Sequence, residues 1–172
     1  MEGYLGGRGR GCGRWRGLRR SAKSSRNSPS STGRGVVWPT ALYELMSNCP
    51  FCTLPTSRIV LENEHCLAIR DAFPVSEGHT LIIARRHVGS LFGLSDAEGR
   101  ALLALLAEAK TSLEGAYRPS GFNVGINDGA AAGQTVPHLH VHLIPRYAGD
   151  QPDPRGGVRW IFPEKADYWS RA

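Results

Sequence analysis

Long apolar runs are missing from this sequence. No uninterrupted stretch approaches the roughly 18 to 20 residues that cross a bilayer as a helix, so a helical membrane span is excluded and no membrane partner is expected. Cysteine is scarce: Cys12, Cys49, Cys52 and Cys66 are the four in 172 residues, too few for a disulfide scaffold. Two of them form Cys49-x-x-Cys52, a spacing that suggests metal or redox chemistry in an intracellular chain. Acid is nearly absent from the first 45 residues, which hold Glu2 and Glu44 against nine lysines and arginines.

That last scarcity decides how the charge is read. The chain has 21 basic and 15 acidic residues, net +6, which alone suggests a polyanion such as nucleic acid as partner. Setting the first 45 residues aside leaves 12 basic and 13 acidic residues, net −1. The basicity belongs to a tail, and no nucleic-acid partner is expected of the remainder. Residues 1–36 are mostly Gly, Arg and Ser, a composition that buries too little apolar surface to offset the entropy of ordering it. Residues 1–45 are therefore expected to be a disordered extension, without the apolar centre of a secretory signal. Three readings of it stand: a transit peptide, a nucleic-acid-binding arm, or translated upstream sequence with Met46 as the start. The last is favoured because patterned sequence begins three residues after Met46, at Cys49. The expected location is cytoplasmic, or mitochondrial if the extension is a transit peptide.

Residues 46–150 carry the pattern of one soluble domain, with 151–172 as an extension expected to pack on it. Ile59–Leu61 and Cys66–Ile69 are apolar runs separated by Glu62-Asn63-Glu64-His65, which suits a hairpin. Gly78–Ala84 is a third strand, and Phe122–Ile126 and Leu139–Ile144 are the last two. Ser95 is placed to cap a helix, with Asp96 and Glu98 favourable in its first turn. Leu102, Leu103, Leu105, Leu106, Ala109 and Leu113 then recur at helical spacing to Tyr117, with Gly115 near the C-terminal end. Five short strands and one long helix predict an α+β fold with a mostly antiparallel sheet.

His138, His140 and His142 alternate with Leu139, Val141 and Leu143. On a strand this puts three imidazoles on one face, about 6.5 to 7 Å apart, and three aliphatic side chains on the other. Half-buried histidines on an edge strand are the bland alternative, which strict i, i+2, i+4 placement disfavours. The preceding stretch, Gly129 to Pro137, is rich in small residues that let backbone N–H groups approach a phosphate, with Gln134 and Thr135 as neutral donors.

GQTVPHLHVHLIPRYAGD resembles the signature of the histidine-triad (HIT) superfamily, and DAFPVSEGHTLIIARRH resembles its first half. The closing RGGVRWIFPEKADYW is similar to bacterial HIT hydrolases of the diadenosine-polyphosphate type. The resemblance covers residues 47 to 147. It implies a HIT-like fold with a five-stranded sheet, one long helix and a short one, and a homodimer. It further implies a nucleotide hydrolase that cleaves dinucleoside polyphosphates or related AMP conjugates through a nucleotidyl-histidine intermediate. His140 would be the nucleophile, since a neutral imidazole needs no base at pH 7. His142 would contact phosphate and assist the leaving group. Gln134, Thr135 and the amides from Gly133 to Val136 would hold phosphates, Asp71 the ribose hydroxyls, and Asn127 the nucleotide. His79 would support the site by packing or hydrogen bonding.

Cys49, Cys52, His87 and His138 make two thiolates and two imidazoles, a closed set typical of structural zinc, and many HIT proteins resemble this chain in having it. Reduced exposed thiols or a redox pair are the alternatives. Arg85 and Arg86 could face phosphate or form a solvated pair, and Lys110 with Glu114 reads as a surface helix pair. Within the enzymes, an adenosine phosphoramidate hydrolase and a nucleotidyltransferase or phosphorylase are the competing readings. From another class stands a zinc-containing nucleic-acid-binding module, whose usual ligand spacing is far shorter than these gaps.

Overall fold

Asn63 closes the first hairpin. Its side-chain oxygen accepts from the backbone N–H groups of His65 and Cys66 at 3.1 and 2.8 Å, joining β1 (Ile59–Glu62) to β2 (Cys66–Arg70). The polar interval between the two apolar runs is thus the turn that the sequence predicts. In this computed structural model, which describes residues 49–170, three further strands follow: β3 (Thr80–Ala84), β4 (Gly121–Gly125) and β5 (His140–Arg146). The expected extension at residues 1–45 and Cys12 lie outside the described residues. The sheet runs β1-β2-β3-β5-β4, and every neighbouring pair is antiparallel.

The long helix α1 (Asp96–Tyr117) starts where the sequence puts it. Ser95 accepts from the Glu98 N–H, and the Glu98 side chain accepts from the Ser95 N–H, a reciprocal capping box. It ends at Tyr117, as the spacing predicts. Gly115 lies inside the last turn, and the left-handed residue is Arg118, at φ 51°, followed by Pro119, which has no N–H with which to continue the helix. A second helix, α2 (Pro163–Ala166), is a single turn.

α1 covers one face of the sheet. Its Leu102, Leu105, Ala109 and Leu113 pack with Cys66, Ala68, Ile82, Ala84, Leu139, Val141 and Leu143. Gly78, at φ 80°, lets the chain turn beneath this helix, since a Cβ there would meet Leu113 at 3.0 Å and Tyr117 at 3.2 Å. The other face carries Leu67, Ile69, Leu81 and Ile83, partly covered by Phe51, Leu54 and Ile59 from the segment before β2. The functional side chains gather there. The segment after β5 includes the 3-10 turn Gly157–Ile161, which approaches β4: a Cβ on Gly157 would lie 3.5 Å from the Asn123 amide.

Candidate active site

β5 begins two residues later than the alternation predicts. Pro137 supplies no N–H, and the His138 N–H donates to the Val136 carbonyl, so His138 sits in a bend ahead of the strand. His140 and His142 do share a face, opposite Ile83 and Leu81 of β3. Their ring centroids are 5.2 Å apart, closer than the strand repeat because the rings tilt toward one another. Leu139, Val141 and Leu143 are buried on the helix side, as expected.

The hydrogen bonds of these rings fix which nitrogens are free. His140 Nδ1 lies 2.7 Å from the His138 carbonyl oxygen. A carbonyl only accepts, so Nδ1 carries the proton and Nε2 keeps the lone pair. His79 Nδ1 accepts from the Val75 N–H at 3.4 Å, so its Nε2–H donates to His142 Nδ1 at 3.0 Å. That leaves the proton of His142 on Nε2. Burial lowers the pKa of both His79 and His142. The neighbouring His140 and His79 lower His142 further, and Asp71 opposes the shift at both. The two rings are therefore neutral at pH 7. Asp71 accepts from the Phe73 N–H at 2.9 Å and places its other oxygen 3.5 Å from His79.

A cavity of about 480 Å³ holds His140, His142, His79 and Asp71 against the apolar Phe51, Leu54, Ile69 and Leu81, with Thr135 and Val136 at its rim. Sequence reasoning missed Phe51 and Leu54. Phe51 stands edge-on to His140 at 5.1 Å; its only signal is its place inside the Cys49-x-x-Cys52 loop, which says nothing of a strand some 90 residues on.

The loop before β5 differs from expectation. The N–H groups of Gly133 and Gln134 are already donated to the carbonyls of Ala130 and Gly129, closing a 3-10 turn, so the amides left for a phosphate are those of Thr135 and Val136. Gln134 braces the loop, its amide donating to the Gly89 carbonyl at 2.7 Å and its oxygen accepting from the Gly129 N–H at 2.9 Å. Asn127 lies beside Gly133, and neither lines the histidine cavity. Arg85 pairs with Glu62, and Arg86 forks onto Glu98 at 2.7 and 2.9 Å; both are structural. Lys110 and Glu114 form the expected i, i+4 pair at 2.6 Å.

The second cluster unites residues far apart in sequence. The ligand atoms of Cys49, Cys52, His87 and His138 all lie within 4.8 Å of one another. His138 Nε2 donates to the Ala84 carbonyl at 2.6 Å, which leaves the Nδ1 lone pair 3.4 and 3.5 Å from the two sulfurs. His87 Nδ1 is 3.2 Å from Cys52 Sγ. A zinc tetrahedron with ordinary Zn–S and Zn–N bonds has S···N edges of about 3.5 Å, so donor set and spacing fit. Burial, with help from Cys49, pushes the Cys52 thiol up to about 11, so without a cation it stays protonated at pH 7.

Comparison with known proteins places this arrangement. Residues 55–149 match the HIT domain. A 16.1 kDa HIT-like protein of Mycoplasma pneumoniae is 39% identical over 105 residues, 59% of this chain and 73% of that protein. The AP-4-A phosphorylase of Mycobacterium tuberculosis is 35% identical over 107 residues, 59% of this chain and 55% of the enzyme. The crystal structure of a zinc-bound histidine triad family protein from Mycobacterium smegmatis superposes with a TM-score of 0.56 at 31% identity, covering 63% of this chain and 86% of that one. The chain belongs to the HIT family.

Proposed function

We propose that this protein hydrolyses dinucleoside polyphosphates, or related AMP conjugates, through a nucleotidyl-histidine intermediate on His140. The observation that carries the reading is the bond from His140 Nδ1–H to the His138 carbonyl, which presents Nε2 as a neutral nucleophile in a cavity lined by His142 and Asp71. The Nε2 lone pair forms the bond to the α-phosphorus as the bond to the bridging oxygen breaks. His142 Nε2–H, oriented through His79, donates a hydrogen bond to the bridging oxygen as it departs as a phosphate anion. Water then displaces the histidine and releases the nucleoside monophosphate. Phe51, Leu54, Ile69 and Leu81 supply an apolar seat for the base, and Asp71 accepts from ribose hydroxyls. Thr135 and Val136 offer N–H groups to the developing phosphate charge, on a loop held in shape by Gly133, Gln134 and the adjacent Asn127.

A structural zinc is part of the proposal, held by Cys49, Cys52, His87 and His138; when bound it supplies a fixed cross-link rather than chemistry. Its bearing on the reaction is indirect. The ring of His138 belongs to this cluster and its carbonyl orients His140, so immobilising His138 fixes the tautomer of the nucleophile.

His140→Ala is expected to lower turnover of diadenosine tetraphosphate by roughly 10³-fold or more while nucleotide binding persists. Labelled dinucleotide should leave nucleotidyl-histidine on the wild type alone. Near-normal turnover by the variant would refute the role. Phosphorolysis is the second reading, favoured by similarity to the AP-4-A phosphorylase; it predicts that product formation requires inorganic phosphate and yields a nucleoside diphosphate.

A further inference from the structure

Beyond His142 the same face of β5 continues through Ile144 to Arg146, because alternate residues share a side. β4 supplies the neighbouring positions, Gly125 opposite His142 and Asn123 opposite Ile144. Over Asn123, Ile144 and Arg146 lies a second cavity, of about 760 Å³, bounded by Val75 on the β2–β3 connection and by Trp160 on the segment after β5. Val75 also lines the histidine cavity, so the two chambers adjoin. Gly125 leaves the floor between them clear: a Cβ there would find no neighbour within 4 Å.

The geometry points to this second chamber as the seat of the leaving nucleoside of a dinucleoside polyphosphate, an inference that rests on His140 being the nucleophile of a nucleotide hydrolase. Size is the first argument. Pockets for small ligands run from about 300 to 1,000 Å³, so the 480 Å³ histidine chamber suits one nucleotide, and the other half of the substrate needs the adjoining space.

Charge is the second argument. Glu77, Asp150 and Asp153 line the chamber with Arg146, and two of the three acids are ion-paired, Asp150 with Arg146 and Asp153 with Arg155. The Arg146 guanidinium is already committed, donating to both oxygens of Asp150 at 2.7 and 2.8 Å and to Asn123 Oδ1 at 2.6 Å. Such a chamber presents a polyphosphate with no cation that is not already held by a carboxylate, and it accepts an uncharged group rich in hydroxyls, which carboxylates receive as donors. The phosphates remain by the histidines and the nucleoside lies beyond them.

Trp160 is the third. Its indole N–H donates to the Arg155 carbonyl at 2.8 Å, which holds the ring in place while leaving it half exposed, a flat surface for a base. The step from His142 to Ile144 is about 6.6 Å along the strand, so a small amine leaving group at the histidines falls short of this chamber. The segment after β5 thereby selects dinucleotides over AMP–amine conjugates.

The test compares full-length wild type, Trp160→Ala and Trp160→Phe on diadenosine tetraphosphate and on adenosine 5′-phosphoramidate. Trp160→Ala should lower kcat/KM for the dinucleotide about tenfold, chiefly through KM, and leave the phosphoramidate unchanged; Trp160→Phe should restore most of the loss. An equal fall on both substrates, no fall on the dinucleotide, or a wild type that cleaves only the phosphoramidate would overturn the inference while leaving nucleotide hydrolysis standing. No turnover of either substrate by the wild type would sink the parent reading and the inference with it.

Discussion

His79 and His142 hold the site together through one shared hydrogen bond, and their protonation sets when that bond survives. Burial depresses both imidazoles below the ordinary value of 6.5. Between those depressed values and 6.5 the unfolded chain binds more protons than the folded one, so stability is lost as pH falls through that window and is fully present above it. The thermal midpoint is expected to drop between pH 7.5 and pH 5, with part of the slope removed in His79→Gln, whose side chain does not titrate. Scanning calorimetry across that range checks it, and a variant with the wild-type slope would exclude His79 as a contributor.

Elements were legible where local chemistry fixes them. The alternation of β5 from His140 onward, the capping of α1 by Ser95 and Glu98 and the turn at Asn63 each depend on residues within a few positions, and each stands as predicted, while Pro137 keeps His138 off the strand. The misreadings arise where the deciding partner is distant or the local signal is ambiguous. Gln134 reads as a phosphate donor until the Gly89 carbonyl, 45 residues earlier, takes its amide. Arg86 reads as a surface cation until it meets Glu98 across the start of α1. β4 raises an element-scale prediction of its own. It is an edge strand with Val124 45% exposed, and a bare edge invites pairing with another chain. We propose a homodimer joined along it. Val124→Lys should shift the species seen by light scattering from dimer toward monomer, whereas a wild-type monomer would reject this interface.

At the scale of the whole molecule, the Cys49/Cys52/His87/His138 cluster closes the longest connections in the described chain. It ties the loop that carries Phe51 to the segment after β3 and to the bend before β5, across separations of 35 to 89 residues. Bound zinc would thus stabilise the folded state alone, by mass action, and hold Phe51 against His140. With the Cys52 thiol pushed up to about 11, binding at neutral pH must displace protons, and affinity should rise with pH. Stoichiometric zinc is expected by elemental analysis. Chelation should lower the thermal midpoint and re-addition should restore it, while Cys52→Ser should begin near the chelated value and gain nothing from chelator. Because the proposed metal would act by holding His138 rather than by touching substrate, chelated protein should keep its product distribution and lose rate. A change of products on chelation would place the metal in the reaction itself.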